Sequence, residues 1–147
     1  MTVRIRPFED ADEDAVVALW HAAWLTRPWN DPHRDIARKR LVQRELFLVA
    51  VDSGSAEGHA VVGTAMAGYD GHRGWVYYLA VAPGHQGRGL GRLLMTDAEA
   101  RLLALGCPKV NVQIRTGNEA VGAFYDRLGY APDSATSLGK RLIPDQG

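Results

Sequence analysis

The stretch Val76–Met95, VYYLAVAPGHQGRGLGRLLM, is a β-rich run that breaks into a glycine loop and then enters an amphipathic helix. Glycines at Gly87, Gly89 and Gly91 let the backbone turn its N–H groups toward a ligand without Cβ atoms in the way. Because a helix begins at this loop, the helix dipole adds to the attraction for anions. The stretch therefore predicts a strand, a phosphate-binding turn and a helix in succession.

The spacing of these glycines excludes two common phosphate loops. A Walker loop requires GxxxxGK followed by Ser or Thr, and the chain has no such run. A dinucleotide-binding fingerprint requires GxGxxG, which the loop does not fit. On the loop alone, a glycine-rich turn without any ligand stays open as an alternative.

Two motifs together resemble those of the GNAT acetyltransferase superfamily. Gln86, Gly89 and Gly91 fit the pattern Q/R-x-x-G-x-G/A after a strand, and Asn118–Tyr130, NEAVGAFYDRLGY, is similar to the family's later helix motif. The resemblance implies that loop amides bind the pyrophosphate of CoA and that the preceding strand contacts its pantetheine arm. The cofactor-binding residues implied in this way are Leu79, Ala80, Val81, Gln86, Gly87, Arg88, Gly89, Leu90, Gly91, Arg92, Asn118 and Tyr125.

The resemblance covers nearly the whole chain. Three segments point to one branch of the superfamily. These are TRPWNDPHRDIARKR at Thr26–Arg40, YDGHRG at Tyr69–Gly74 and SLGKRLI at Ser137–Ile143, which are similar to the small bacterial YpeA-type branch of the superfamily. We call them the branch segments. They imply little about the substrate.

Composition limits the classes of protein to consider. The chain has 147 residues, 46% of them hydrophobic, so we expect one domain over residues 1–147. Lys plus Arg equals Asp plus Glu at 17 each, which favours neither nucleic acid nor a membrane surface as partner. The chain shows no apolar run of the ~20 residues that cross a bilayer and no signal core in Met1–Asp10, and we expect it in the cytoplasm.

The single cysteine and the absence of a metal motif narrow the chemistry. Cys107 cannot form an internal disulfide, which agrees with a reducing compartment. It lies between a helix end and a strand, so we interpret it as a small buried side chain rather than a nucleophile. We expect no metal.

Periodicity predicts a mixed α/β sheet with helices on both faces. The resemblance implies a mostly antiparallel sheet whose central strands splay apart. Two helices are expected before the second strand. The second of these helices is capped by Asp31 and has Pro32 at its first position. Later helices are expected at Leu90–Leu102, ended by Gly106, and after Asn118, ended by Gly129. The predicted strands are Val3–Arg6, Leu46–Val51, Val61–Gly68, Trp75–Val81, Val110–Arg115 and Leu138–Ile143.

The resemblance assigns Tyr125 as the general acid that protonates the thiolate leaving from CoA. On periodicity alone Tyr125 is equally well a core aromatic beside Phe124. Asn118 is likewise either a helix N-cap or a cofactor contact. The resemblance places the thioester carbonyl against a backbone N–H of the Leu79–Val81 strand.

The general base is harder to place. Deprotonating an α-amine with a pKa near 8 costs about 1.4 kcal/mol at pH 7, whereas a lysine costs about 4.6 kcal/mol and needs a real base. Many relatives have a Glu on the strand before the glycine loop, but Tyr77 and Tyr78 stand in that region here. Asp70 and His72 are the nearest titratable residues, and they are either the base or ordinary residues of a turn.

The acceptor is expected to contact the connection between the first two helices. Trp29 and Asn30 lie there, and Tyr69 and Tyr77 lie on neighbouring strands. Trp29 is alternatively a buried anchor. The acceptor is expected to be a primary amine of a small molecule, peptide or protein, and the enzyme a monomer or a homodimer.

The leading hypothesis is an acetyl-CoA-dependent N-acetyltransferase that transfers the acetyl group directly through a ternary complex. One alternative keeps the fold and uses a longer acyl-CoA. The other is a CoA-binding or protein-interaction module with weak or no catalysis, which the missing Glu supports.

Overall fold

The computed structural model describes residues 2–55 and 58–146. The helices and strands follow the chain in the order β1 (Val3–Pro7), α1 (Glu13–Ala22), α2 (Pro32–Lys39), β2 (Phe47–Ser55), β3 (Gly58–Tyr69), β4 (Gly74–Val81), α3 (Leu90–Ala104), β5 (Val110–Val112) and α4 (Glu119–Arg127).

The strands form one sheet in the order β1-β2-β3-β4-β5. The first four strands pair antiparallel, and β5 pairs parallel with β4. The predicted mixed, mostly antiparallel sheet is therefore confirmed.

Helices cover both faces of the sheet, as predicted. On one face Leu48 and Ala50 of β2 pack with Leu94 and Leu102 of α3. On the other face the alternate β2 residues belong to a second buried cluster with Trp20 of α1. Because β2 is buried on both faces, its sequence is a continuous apolar run rather than an alternating one.

The helix ends agree with the predicted signals. The Asp31 carboxylate accepts a hydrogen bond from the His33 N–H at 2.9 Å, and Pro32 opens α2. Gly106 and Gly129 adopt left-handed φ values of 84° and 92° just after α3 and α4. These boundaries are set by local chemistry, so the sequence predicts them well.

The predicted strand at Leu138–Ile143 is wrong. The segment has no strand structure, and the side chains of Leu138, Leu142 and Ile143 are exposed. The chain is held here by polar contacts of Arg141 and Asp145 rather than by a sheet edge. An alternating pattern forms a strand only where an edge is available for pairing, and the described chain uses other contacts here.

Strand β5 is shorter than predicted and ends at Val112 rather than Arg115. It pairs with β4 only from Gly74 to Val76. Beyond Val76 the two strands separate, so the predicted splay of the central strands is present. The second half of β4 therefore has one backbone edge that β5 does not cover.

Candidate active site

A cleft of about 550 Å³ opens where β4 and β5 separate. The second half of β4, the glycine loop, the start of α3 and one face of α4 form its walls. This volume is in the range of small-molecule sites. Of the predicted cofactor residues, those that line it are Leu79, Val81, Gln86, Gly87, Gly89, Leu90, Gly91, Arg92 and Tyr125.

The glycine loop presents an open backbone to the cleft. Gly87 and Gly89 have φ values of 78° and 80°, which glycine adopts without strain. Apart from the two chain neighbours, no described residue has an atom within 4 Å of where a Cβ would stand at either glycine. Gly89 is the N-cap of α3, and among the described residues no side chain caps the helix, so its first N–H groups are available to an anion. The loop fits a pyrophosphate on geometric grounds.

Side-chain contacts with the sheet hold the loop in place. His85 Nε2 lies 3.0 Å from Asp52 Oδ2 on β2, and the Gln86 side-chain amide donates to the Val81 carbonyl at 3.4 Å. The hydrogen bond to His85 and the N–H of Gly54 lower the pKa of Asp52. The loop is thus tied to β2 and β4.

Tyr125 lies on the wall of the cleft that α4 provides. Its side chain is buried, with edge-to-face contacts to Phe124 and Tyr130 at centroid distances of 5.1 and 5.5 Å. Its hydroxyl makes no hydrogen bond to any residue that the structure describes. Burial raises the pKa of Tyr125 to about 12, so the phenol keeps its proton at neutral pH. The cleft therefore contains a hydrogen-bond donor without a protein acceptor.

Three predicted cofactor residues lie outside the cleft lining. Asn118 accepts from the Val121 N–H at 3.4 Å as the N-cap of α4. Ala80 is buried in the cluster on the α1 face of the sheet. Arg88 is exposed on the glycine loop.

The candidate bases Asp70 and His72 lie in the β3–β4 turn, at the end of β4 opposite to the glycine loop. At about 3.3 Å per strand residue, β4 places them about 20 Å from Val81. The Asp70 carboxylate accepts from the backbone N–H groups of His72 and Arg73, and these bonds lower its pKa. The carboxylate stabilises the turn, and the geometry gives a base role no support.

The predicted acceptor residues divide into two groups. Trp29 is half-exposed and lines a second cavity of about 340 Å³, and Asn30 Oδ1 accepts from Arg141 at 2.6 Å beside it. We call this cavity the tail pocket, and its lining residues are Pro28, Trp29, Arg141, Pro144, Asp145 and Gln146. Tyr69 and Tyr77 line neither cavity. The Tyr69 hydroxyl donates to the Gly71 carbonyl, and Tyr77 stacks on Trp75.

Cys107 is buried, and its thiol donates to the Lys109 carbonyl at 3.3 Å. It belongs to the core cluster beneath α3 and does not line the cleft. This placement agrees with the interpretation of Cys107 as a small core side chain.

Sequence analysis missed part of the cleft wall. Val121, Phe124 and Leu128 have the helical spacing of a core-facing stripe, but they are only half-buried because they also line the cleft. The apolar spacing identifies the inward face of α4. It does not show that this face contacts both the core and the cavity. The other lining residues that it missed are His85, Ala120 and Arg127.

The sequence also gave no sign of an irregularity in β4. Thr64 pairs with Ala80 and Met66 pairs with Tyr77, so β4 has one extra residue between these pairs. Tyr78 lies in this bulge. It has a left-handed φ of 52°, an uncommon conformation for a non-glycine residue. The β-bulge lies directly beside Leu79 in the cleft.

Within residues 2–55 and 58–146, no three His, Cys, Asp or Glu side chains cluster in a way that could hold a metal ion. Over the same described part of the chain, each helix is too short or too polar to cross a membrane.

The chain is similar in sequence to bacterial acetyltransferases. An acetyltransferase of Yersinia enterocolitica serotype O:8 / biotype 1B is 48% identical over 144 residues, which cover 98% of this chain and 99% of the relative. The family model described as the acetyltransferase (GNAT) family matches residues 14–130.

Solved structures share the fold at low sequence identity. The NatC complex bound to Gag peptide and CoA contains a chain that is 20% identical, with a TM-score of 0.74 and coverage of 87% of this chain and 84% of the other. The ribosomal-protein-S18-alanine N-acetyltransferase of Escherichia coli is 23% identical, with a TM-score of 0.70 and coverage of 87% and 77%. With its splayed sheet, its open glycine loop and these sequence matches, the chain belongs to the acetyltransferase (GNAT) family.

Proposed function

We propose that this acetyltransferase moves an acetyl group from acetyl-CoA directly to the nitrogen of a primary amine. The observation that carries the proposal is the Tyr125 hydroxyl, which lies on the cleft with no acceptor in the described protein. Acetyl-CoA is the substrate whose parts match the cleft. Its pyrophosphate suits the amides at Gly87 and Gly89, and its pantetheine arm suits the uncovered edge of β4.

The two ends of the cleft support different parts of the reaction. A backbone N–H near Leu79, on the uncovered part of β4, is a suitable donor to the thioester carbonyl. Tyr125 is a suitable donor to the departing sulfur. The structural neighbour that was solved with CoA and a peptide agrees with a fold that admits a thioester and an amine together.

The pKa of Tyr125 defines what the phenol does. A CoA thiol has a pKa close to the ~8.5 of cysteine. The phenol, whose pKa burial raises to about 12, is the weaker acid of the two and keeps its proton at neutral pH. Tyr125 therefore stabilises the leaving thiolate by a hydrogen bond, and the thiolate takes up its proton from solvent.

The test is transfer of labelled acetyl from acetyl-CoA to a mixed pool of peptides, amino acids and small amines, followed by mass spectrometry. We expect a labelled amide with the native protein and a rate about 10- to 100-fold lower with Tyr125→Phe, which is the worth of one hydrogen bond to a charged group. Calorimetry should find the Kd for acetyl-CoA within about twofold in the two proteins, because Phe keeps the ring contacts.

Two results would count against this proposal. Equal rates in the native protein and the Tyr125→Phe variant would remove Tyr125 from the mechanism. Tight binding of acetyl-CoA with no labelled product from any amine would instead indicate a CoA-binding module.

A further inference from the structure

Neighbouring residues of β4 face opposite sides of the sheet at the bulge. Leu79 lines the cleft, whereas the ring of Tyr78 stacks on Trp20 of α1 at a centroid distance of 3.7 Å. Thr64 holds Trp20 and Tyr78 together, because its hydroxyl accepts from Trp20 Nε1 at 2.9 Å and donates to the Tyr78 carbonyl at 2.7 Å. The bulge thus fixes Tyr78 beside the proposed thioester position while its hydroxyl extends toward α2.

The hydroxyl of Tyr78 ends at a carboxylate on α2. It donates to Asp35 Oδ2 at 2.7 Å. Within the described residues, the other oxygen, Oδ1, has one long contact, to Arg38 at 3.4 Å. An ionised carboxylate has about four acceptor positions, so Asp35 retains capacity for an N–H donor. Its side chain is 22% exposed and is therefore accessible to a small molecule.

A polar network joins two of the branch segments behind this carboxylate. Arg38 donates to Asp145 Oδ1 at 2.6 Å, and Arg141 lies 2.8 Å from the same oxygen. Arg141 also donates to Asn30 Oδ1 at 2.6 Å. The network brings Thr26–Arg40 and Ser137–Ile143, far apart in sequence, to the same side of β4. It fixes the position of Arg38 and so the environment of Asp35.

A second charged group, Arg115, lies beside Trp29 of the tail pocket. Arg115 follows β5, and its guanidinium lies 5.7 Å from the centroid of the Trp29 ring. In the described part of the chain, its N–H groups donate to no residue. Trp29 lines the tail pocket together with Asp145, so contacts connect Arg115 with Asp35 through Trp29, Asp145 and Arg38. Burial and then Asp35 raise the pKa of Tyr78, and the charge of Arg115 lowers it.

We propose that the acceptor is a small primary amine that also carries a carboxylate, with its nitrogen bound by Asp35 and its carboxylate bound by Arg115. This inference rests on the proposed function. The spare acceptor capacity of Asp35 suits the N–H groups of an amine. The unused fork of N–H donors on Arg115, backed by Trp29, suits a carboxylate.

In this arrangement the amine loses one proton to water before it reacts. Its lone pair then forms the C–N bond to the thioester carbonyl carbon, and the C–S bond breaks with its electron pair on sulfur. The second proton that the nitrogen loses passes to solvent, which protonates the thiolate. Asp35 orients the nitrogen and Arg115 selects the acceptor, so neither residue changes its charge.

The test compares acceptors that differ only in the carboxylate. The panel is an amino acid, a dipeptide and a tripeptide, each with its C-terminal amide, and the readout is kcat/KM from CoA release. The dipeptide and tripeptide pairs are the most informative because the amide leaves the distant amine nearly unchanged. Two variants are examined, Asp35→Asn and Arg115→Met. Arg4→Met and Asp14→Asn, which remove exposed charges elsewhere, are the matched controls.

With the native protein we expect the free carboxylate to exceed its amide by about 10- to 100-fold in kcat/KM for at least one pair. Arg115→Met should lower kcat/KM for the free carboxylate acceptor to that of its amide and leave kcat/KM for the amide unchanged. Asp35→Asn should lower both values, and the controls should lower neither.

Other outcomes separate this inference from the proposed function. If an amide reacts as well as its carboxylate, or if Arg115→Met lowers both equally, the acceptor class is wrong and the transferase remains. If the mixed pool yields only products without a carboxylate, the inference is overturned as well. Since Arg115 is exposed, a folding defect does not account for the result with its variant.

Discussion

Glycine serves two different purposes at the residue scale in the loop before α3. At Gly87 and Gly89 the backbone has a positive φ and space around it, so the requirement is conformational. At Gly91 the requirement is room, because a Cβ would stand 3.1 Å from the ring of Phe124. The first two residues shape the turn proposed to bind the pyrophosphate, and the third lets α3 approach α4.

Gly89→Ala tests the conformational requirement. A side chain in the left-handed region costs about 1–2 kcal/mol, and acetyl-CoA binding must overcome this strain if the free loop relaxes. We expect the Kd for acetyl-CoA, measured by calorimetry, to rise about 5- to 30-fold.

Gly84→Ala is the matched control for this prediction. Gly84 lies in the same connection, has no positive φ and has open space around it. We expect native affinity from Gly84→Ala. Native affinity from Gly89→Ala as well would show that the turn does not contact the pyrophosphate.

At the scale of elements, the C-terminal segment is held by one carboxylate. Asp145 accepts from Arg38, from the Asp31 N–H and from Arg141, and its side chain is fully buried. The hydrogen bond to Arg38 and then the Asp31 N–H lower its pKa well below the usual range. The segment is therefore attached to the start of α2 through an ionised group.

Asp145→Asn should lower the free energy of unfolding at pH 7. Because the folded-state pKa is depressed, the contribution of Asp145 is complete above the unfolded-state pKa of about 3.9 and is lost as the pH falls below it. The difference between the native protein and Asp145→Asn, measured by urea unfolding, should shrink below about pH 4.

Asp126→Asn is the control for this series. Asp126 is exposed and makes no side-chain ion pair within the described residues. We expect it to match the native protein across the whole range of pH. If Asp145→Asn differs from the native protein equally at pH 3 and pH 7, the contribution of Asp145 is not ionic.

The sequence predicts elements whose causes are local. Apolar spacing and terminal glycines locate α3, and Asp31 with Pro32 locates the start of α2. The same reasoning predicted a strand at Leu138–Ile143, and this prediction is wrong. The conformation of this part of the chain depends on contacts with the distant residues Asn30 and Arg38. The glycine loop was found in the same way, through its local pattern.

The acceptor side could not be predicted from local pattern. Tyr78 reaches Asp35 through a bulge that requires the pairing of β3 with β4, and this register is not encoded in either strand alone. Asp70 and His72 were plausible bases only because they are close to β4 in sequence. In the fold, β4 extends away from them toward the cleft.

On the scale of the whole molecule, β4 separates two sites. Its uncovered edge and Leu79 belong to the cleft proposed for the acyl donor, and Tyr78 leads to Asp35, the proposed amine contact, on the other side. The two proposals together place both substrates on the protein at once, with the bulge between them. Cys107 is the only cysteine of the chain and is buried away from the cleft, which gives no support to an acetylated thiol intermediate.

The most direct test of this account is a grid of initial rates over acetyl-CoA and acceptor concentrations, together with intact-protein mass spectrometry after exposure to acetyl-CoA alone. Direct transfer between two bound substrates predicts double-reciprocal lines that intersect and a protein mass that does not change. Parallel lines with a protein that gains one acetyl group would contradict the account, because they require a covalent intermediate.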